Sequence, residues 1–289
     1  MISYRHHIVS LVAVFLALAA GVALGGGPLS DLGRDATPAS SATRQQQRAD
    51  ARTASYGDRF AAATSAALYG GALRGHPVAL VTMPGAPAGV VSALGAQVER
   101  AGGAVAGTYD VQPALTAPSE KSLVDTLGSQ LMTQLGNGAV SADASTYVRV
   151  GQLVGLAVSA PQAPADDATS VRQSLAGAEL LTSPDTADRA AIVLVVLGKP
   201  VNPAILSGLA AGLAGKATGV VVAGDASSAT GSGDLAALRA EPTADRVATV
   251  DGDDTTLGQV TAVQALIRSL TVHGGSLGAS GSDGTVPLT

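Results

Sequence analysis

The chain contains no cysteine and no tryptophan, and only 13% of its residues are charged. Without cysteine there is no disulfide, no thiolate nucleophile and no cysteine-based metal site. Any stability outside a reducing compartment must then come from the core. Aromatic side chains are equally scarce, with five tyrosines and two phenylalanines in 289 residues. The core must be made of Ala, Val and Leu, which lets helices and sheet approach closely. It also leaves few of the large anchors that dominate interfaces. No basic excess exists: 17 Lys and Arg stand against 22 Asp and Glu, for a net charge of −5. That balance argues against nucleic acid as a partner. What the chain has in quantity is apolar, 46% of its residues, enough to fill one large domain or two small ones.

The longest apolar run is at the start. Ile8 to Leu24 carries no charge, and its only polar side chain is Ser10; the uncharged stretch continues to Ser30. A spanning helix needs ~20 apolar residues, and residues 8–27 supply them. Arg5 precedes the run, so the positive-inside rule places residues 1–7 in the cytoplasm. The expectation is a transmembrane anchor over 8–28 with all that follows outside the cytoplasm. The rival reading is a cleaved signal peptide, for which Ala17-Leu18-Ala19 has the small-x-small pattern. Either way the remainder is exported. Gly21 and Gly25 form a GxxxG, a pattern that lets membrane helices pack closely, though Gly and Ala abound here.

Residues 29–43 read as a polar linker and 44–70 as a helical stalk. Arg44, Arg48 and Arg52 lie along one face of it, which suits a solvated face or contact with lipid headgroups or an anionic wall polymer. Tyr56, Phe60, Ala63 and Ala67 have seam-like spacing, so a short, feeble coiled coil is a possible use. From 76 to 274 the pattern is that of an α/β domain. Apolar strands are expected at 77–83, 104–111, 190–197, 219–223 and 246–250. Helices are expected at 87–102, 118–136 (capped by Ser119), 143–158, 203–216 and 255–270. A loop is expected at 160–168, and a flexible tail at 275–289. Strands alternating with helices imply a mainly parallel sheet flanked by helices on both faces.

Ligands in such sheets bind beyond the carboxyl ends of the strands. The corresponding segments are Thr82–Pro87, Gly198-Lys199-Pro200, Gly224-Asp225 and Gly231-Ser232-Gly233-Asp234. None is a GxGxxG or a P-loop, and each reads most simply as a turn. Asp251, Asp253 and Asp254 cluster beyond the fifth strand, where carboxylates could hold a hard cation; the alternative is a turn with Asp254 capping the helix that follows. No GxSxG surrounds a serine, and His6, His7, His76 and His273 are scattered. No catalytic residue is assigned, and the chain is expected not to be an enzyme. The soft-metal donors Met1, Met83, Met132 and the four histidines are too dispersed to define a metal site. No cofactor is expected from these residues.

The opening Met1-Ile2-Ser3-Tyr4-Arg5-His6-His7, followed by Ser10–Ala19 and Gly21–Gly25, resembles the start of the actinobacterial MctB-like copper transporter family. The likeness resumes at the first strand, at Val98–Val105, at Thr249-Val250-Asp251 and in the helix ending at Leu270. The resemblance implies copper export or tolerance through an envelope protein. One spanning helix cannot enclose a pore, so transport would require a homo-oligomer or an envelope partner. Relatives that resemble cell-separation partners imply the alternative, a non-enzymatic extracytoplasmic scaffold. No copper-ligand motif carries over.

Overall fold

A computed structural model describes residues 38–136, 138–159, 163–184 and 188–287. The expected anchor at 8–28, the cytoplasmic residues 1–7 and linker residues 29–37 lie outside the described residues. Among the described residues, no helix is long and apolar enough to cross a membrane.

Helix α1 (Pro38–Tyr69) starts earlier than the stalk expected at 44–70, so positions 38–43 are helical rather than linker. Pro38 fits a first helical position, where its missing N–H is no loss. The chain divides into two compact units, residues 1–57 and 58–289. In the first, side chains 43–56 are all exposed, Arg48 and Arg52 among them. In the second, Ala61, Ser65 and Tyr69 form the buried stripe of α1, one residue every fourth. The anticipated seam residues Phe60, Ala63 and Ala67 lie on the other, exposed side of α1, where a seam for a second copy would have to be.

The second unit contains a seven-stranded sheet in the order β3-β2-β1-β4-β5-β6-β7. Its strands are β1 (Val78–Thr82), β2 (Val105–Val111), β3 (Leu181–Thr182), β4 (Ile192–Val196), β5 (Gly219–Gly224), β6 (Ala248–Asp251) and β7 (Ser276–Leu277). Only β3, at one edge, is antiparallel; the other neighbours are parallel. The central runs VALVT, IVLVV and GVVVAG are buried at every position, as a parallel sheet covered on both faces requires. Alternation divides them between two apolar layers. Ala79, Val81, Val193 and Val195 face α4 (Lys121–Leu135), α5 (Thr146–Val158), α6 (Ala165–Gly177), α7 (Pro203–Ala214) and α8 (Asp234–Arg239). Val78, Leu80, Ile192 and Leu194 face the end of α1, α2 (Ala88–Arg100) and α9 (Thr256–Ser269). A four-residue helix, α3 (Pro113–Thr116), follows β2.

Several local expectations are corrected. Ser119 does not cap α4: Pro118–Glu120 form a 3-10 turn, and the residue before α4 is Glu120, which makes no side-chain cap bond. The loop expected at 160–168 gives way at Ala165 to α6, whose first turn carries Asp166 and Asp167, charges that suit a helix N-terminus. Pro161 and Pro164 suggested a loop, but a proline just ahead of a helix does not break it. Part of the tail expected at 275–289 is held against the sheet. Leu277 is 1% exposed, β7 pairs with β6, and Ser276 donates its N–H to Asp283 at 2.7 Å.

With few large side chains available, helices α5 and α7 meet through glycine. A Cβ on Gly151 of α5 would overlap the Leu209 carbonyl oxygen of α7, and one on Gly212 of α7 would overlap the Val148 carbonyl oxygen of α5. Helix propensity favours alanine over glycine by about 1 kcal/mol, but overpacking typically costs about 1–3 kcal/mol or more. Gly212→Ala is therefore expected to lower the urea-unfolding free energy by about 2 kcal/mol. Gly95 of α2, whose added Cβ would sit 3.7 Å from its nearest neighbour, is expected to behave oppositely, with Gly95→Ala gaining about 0.5–1 kcal/mol.

Candidate functional site

The parallel strands run in the same direction, so their carboxyl ends share one edge. The order reverses between β1 and β4, where ligand crevices form in open α/β sheets. Here the two loops are bound together. Met83 donates its N–H to Val196 O at 2.9 Å, and Lys199 donates to Pro84 O at 2.8 Å. Gly198 lies against Gly85 and Ala86 so closely that a Cβ on it would overlap the Ala86 nitrogen. The junction separates two cavities.

The first, of about 540 Å³, is lined by Thr82, Asp110, Gln112, Thr116 and Lys199, among others. The Thr82 hydroxyl donates to Asp110 at 2.5 Å. The second, of about 350 Å³, lies beyond β4, β5 and β6 and collects Asp225, Asp234, Asp253 and Asp254. Ser227, Ser228, Pro87, Val90, Leu197 and Pro200 complete much of its wall. Of the segments singled out in the sequence, four contribute to it: Gly85 and Pro87, Gly198 and Pro200, Asp225, and Gly233-Asp234. The Asp cluster adds a fifth.

The four carboxylates differ in environment. Asp225 caps the 3-10 turn Ala226–Ala229, accepting from Ser228 N and Ser227 Oγ, each at 2.8 Å. Asp234, at the start of α8, accepts the Val201 N–H at 3.3 and 3.2 Å; burial pushes its pKa up. Asp254 is exposed. Asp253 is 4% exposed, and burial, then the nearby charges of Asp254 and Asp225, push its pKa up to about 7.

The acidic cluster of the sequence is thus split. Asp251 belongs to a different arrangement, a buried ion pair with Arg239 at 2.7 Å. Arg239 also donates to Thr249 Oγ1 and to Leu277 O, and Asp251 accepts the Ser280 N–H at 3.0 Å. This network holds α8, β6 and the segment around β7 together. Nor does Asp254 cap α9. Thr255 does, its hydroxyl oxygen accepting from Gly258 N at 3.0 Å. The β-region backbone of Thr255 suits that role.

The soft donors do not converge. Met83 is buried at 3% exposure, and Met132 packs against the core from α4. His76 precedes β1, while His273 lines a separate cleft with Arg239 and Arg268. Met1, His6 and His7 lie outside the described residues. Among the described residues no three His, Asp or Glu side chains are placed to hold one metal ion. The buried, raised-pKa Asp253 was not separable from its neighbours in sequence, because burial depends on where loops from four strands meet.

Comparison with known proteins covers the whole chain. The family model described as copper transport outer membrane protein, MctB, matches residues 1–288. The copper transporter MctB of Mycobacterium bovis is 31% identical over 315 aligned residues, covering 98% of this chain and 96% of that protein. The copper transporter MctB of Mycobacterium tuberculosis matches to the same extent in two strains.

Two variants test the electrostatics. Asp253 holds its proton to higher pH when folded than when unfolded. Between about pH 4 and 7 the native state therefore binds more protons, and its stability falls as pH rises. Asp253→Asn removes that loss. Its advantage over the parent in chemical unfolding is expected to be near zero at pH 4 and to grow to roughly 2–4 kcal/mol above pH 7. Arg239→Met has the opposite sign. It strands a carboxylate with 0% side-chain exposure and is expected to cost about 3–5 kcal/mol at neutral pH.

Proposed function

The chain belongs to the MctB copper transport family, and from that membership we propose that it is an envelope protein of copper export or tolerance. The observation that carries the proposal is the family match over residues 1–288. Family membership supports a copper-related role and a non-enzymatic one. The finer reading has three parts. The apolar run at 8–28 anchors the chain by a single pass, with residues 1–7 in the cytoplasm. The α/β domain stands outside the cytoplasm. One spanning helix encloses no pore, so transport requires an oligomer of this chain or an envelope partner, with membrane lipid around the anchor.

Copper is cargo in this reading, and no resident cofactor is invoked. Thioether and imidazole donors suit copper, yet Met83, Met132, His76 and His273 are dispersed in the described residues. Copper coordination by this chain would then draw on donors from more than one copy or on Met1, His6 and His7.

A second reading is favoured by that same dispersal of metal donors: a scaffold for cell separation or wall remodelling, in which the domain binds protein rather than copper. Deleting the gene in its own host distinguishes the two. The copper reading expects raised cellular copper and growth arrest at copper concentrations that the parent tolerates, both reversed by the full-length chain. Unchanged copper content and tolerance would sink it, and a cell-separation defect in their place would favour the scaffold.

A further inference from the structure

The acidic cavity is lined by one largely buried carboxylate to which no side chain or backbone N–H among the described residues donates. Asp253 is 4% exposed and lines the cavity. Its backbone is fully used: N–H to Gly224 O, and carbonyl oxygen from Gln259 Nε2 at 3.0 Å. No donor among the described residues reaches its carboxylate. A buried carboxylate without a donor is expensive, whereas Asp225 and Asp234 beside it are each served by a backbone N–H. The free acceptor therefore points to something that enters from outside.

The surroundings define the chemistry of that ligand. Four carboxylates line the cavity, and no Lys, Arg or His does. An anion is excluded by charge. The adjacent N-terminus of α9 offers it little either, since Gly258 N is taken by Thr255 and Leu257 N by Asp58. A bare divalent metal fits poorly. Such ions take about six to eight oxygens at close range, and no three acidic or histidine side chains among the described residues converge on one point. The volume of about 350 Å³ is that of a small-molecule site, far more than an ion needs. Pro87, Val90, Leu197 and Pro200 give it an apolar wall, which an ion cannot use and an alkyl chain can.

We propose that this cavity binds a small primary alkyl amine, its ammonium group donating to the Asp253 carboxylate and its aliphatic part lying on the Pro87, Val90 and Leu197 wall. An ammonium has three donors and needs only two or three acceptors at hydrogen-bond range. The side chains of Asp225 and Asp254 supply further negative potential. This site is independent of the copper reading, which uses neither the cavity nor its carboxylates.

Isothermal titration of the purified full-length chain with 1,5-diaminopentane, at low ionic strength and pH 8, tests the assignment. Saturable binding is expected, weakening as pH falls through about 7 because Asp253 is then protonated; Asp225, Asp234 and Asp254 are the other titratable groups facing it. Asp253→Asn is expected to weaken binding at least about tenfold with its melting temperature kept or raised. Asp254→Asn, an exposed change that leaves the fold alone, is expected to weaken it by a smaller factor. No binding at millimolar diamine would overturn the proposal, as would parental affinity in Asp253→Asn. Tighter binding of magnesium or calcium, lost in the same variant, would replace the amine with a metal ion and overturn it too.

Discussion

Backbone touches backbone at several junctions of this protein, where glycine leaves no side chain to hold two elements apart. Helices α5 and α7 meet where Gly151 faces the Leu209 carbonyl and Gly212 faces that of Val148. The loops after β1 and β4 meet at Gly198 and Ala86. Close packing of small groups recovers in dispersion what large side chains would otherwise contribute. It also leaves little tolerance, since a single methyl at such a contact must displace backbone. The whole architecture inherits that constraint, and so do the cavities at the edge of the sheet.

The Gly198 contact shows how packing shapes chemistry. In an open α/β sheet the reversal of strand order leaves a crevice between two diverging loops. Here hydrogen bonds from Met83 to Val196 and from Lys199 to Pro84 close that crevice. The space is displaced to either side, toward Asp110 and Lys199 in one direction and toward Asp225, Asp234 and Asp253 in the other. One side mixes both signs of charge; the other carries only negative charge. The junction keeps them apart.

The sequence showed the layered α/β plan because the central strands are short continuous apolar runs between helical patterns, as strands buried on both faces are. The short edge strands β3 and β7 were illegible. Two residues each cannot display a period, and their pairing depends on partners far away in the chain. Helix α6 was hidden by Pro161 and Pro164, whose meaning changes with position relative to a helix start. The α5–α7 contact was present as Gly151-x-x-x-Gly155 and Gly208-x-x-x-Gly212, but glycine is frequent enough in this chain for the spacing to carry little weight by itself. The candidate site was visible only in pieces. Asp251, Asp253 and Asp254 are neighbours in sequence, yet the pleat turns Asp251 toward Arg239 and the turn at Gly252 carries Asp253 to the cavity. Adjacent carboxylates thus acquire opposite roles, one neutralised in a buried pair and one left without a donor.

That division bears on how the family role and the cavity relate. Carboxylates are hard oxygen donors, whereas thioether and imidazole groups are those that suit copper best. The cavity has only the first kind, and Met83, though adjacent in sequence to its rim, is turned into the core at 3% exposure. Among the described residues, the soft donors and the carboxylates of the pocket thus lie in different places. Nor, among those residues, are Met83, Met132, His76 and His273 brought to one place. The pocket would persist in every copy as a separate feature, available to a cation of different chemistry. The fold permits this separation because the carboxyl edge is built by loops, while the sheet and its two helical layers stay intact whichever ligand those loops accept.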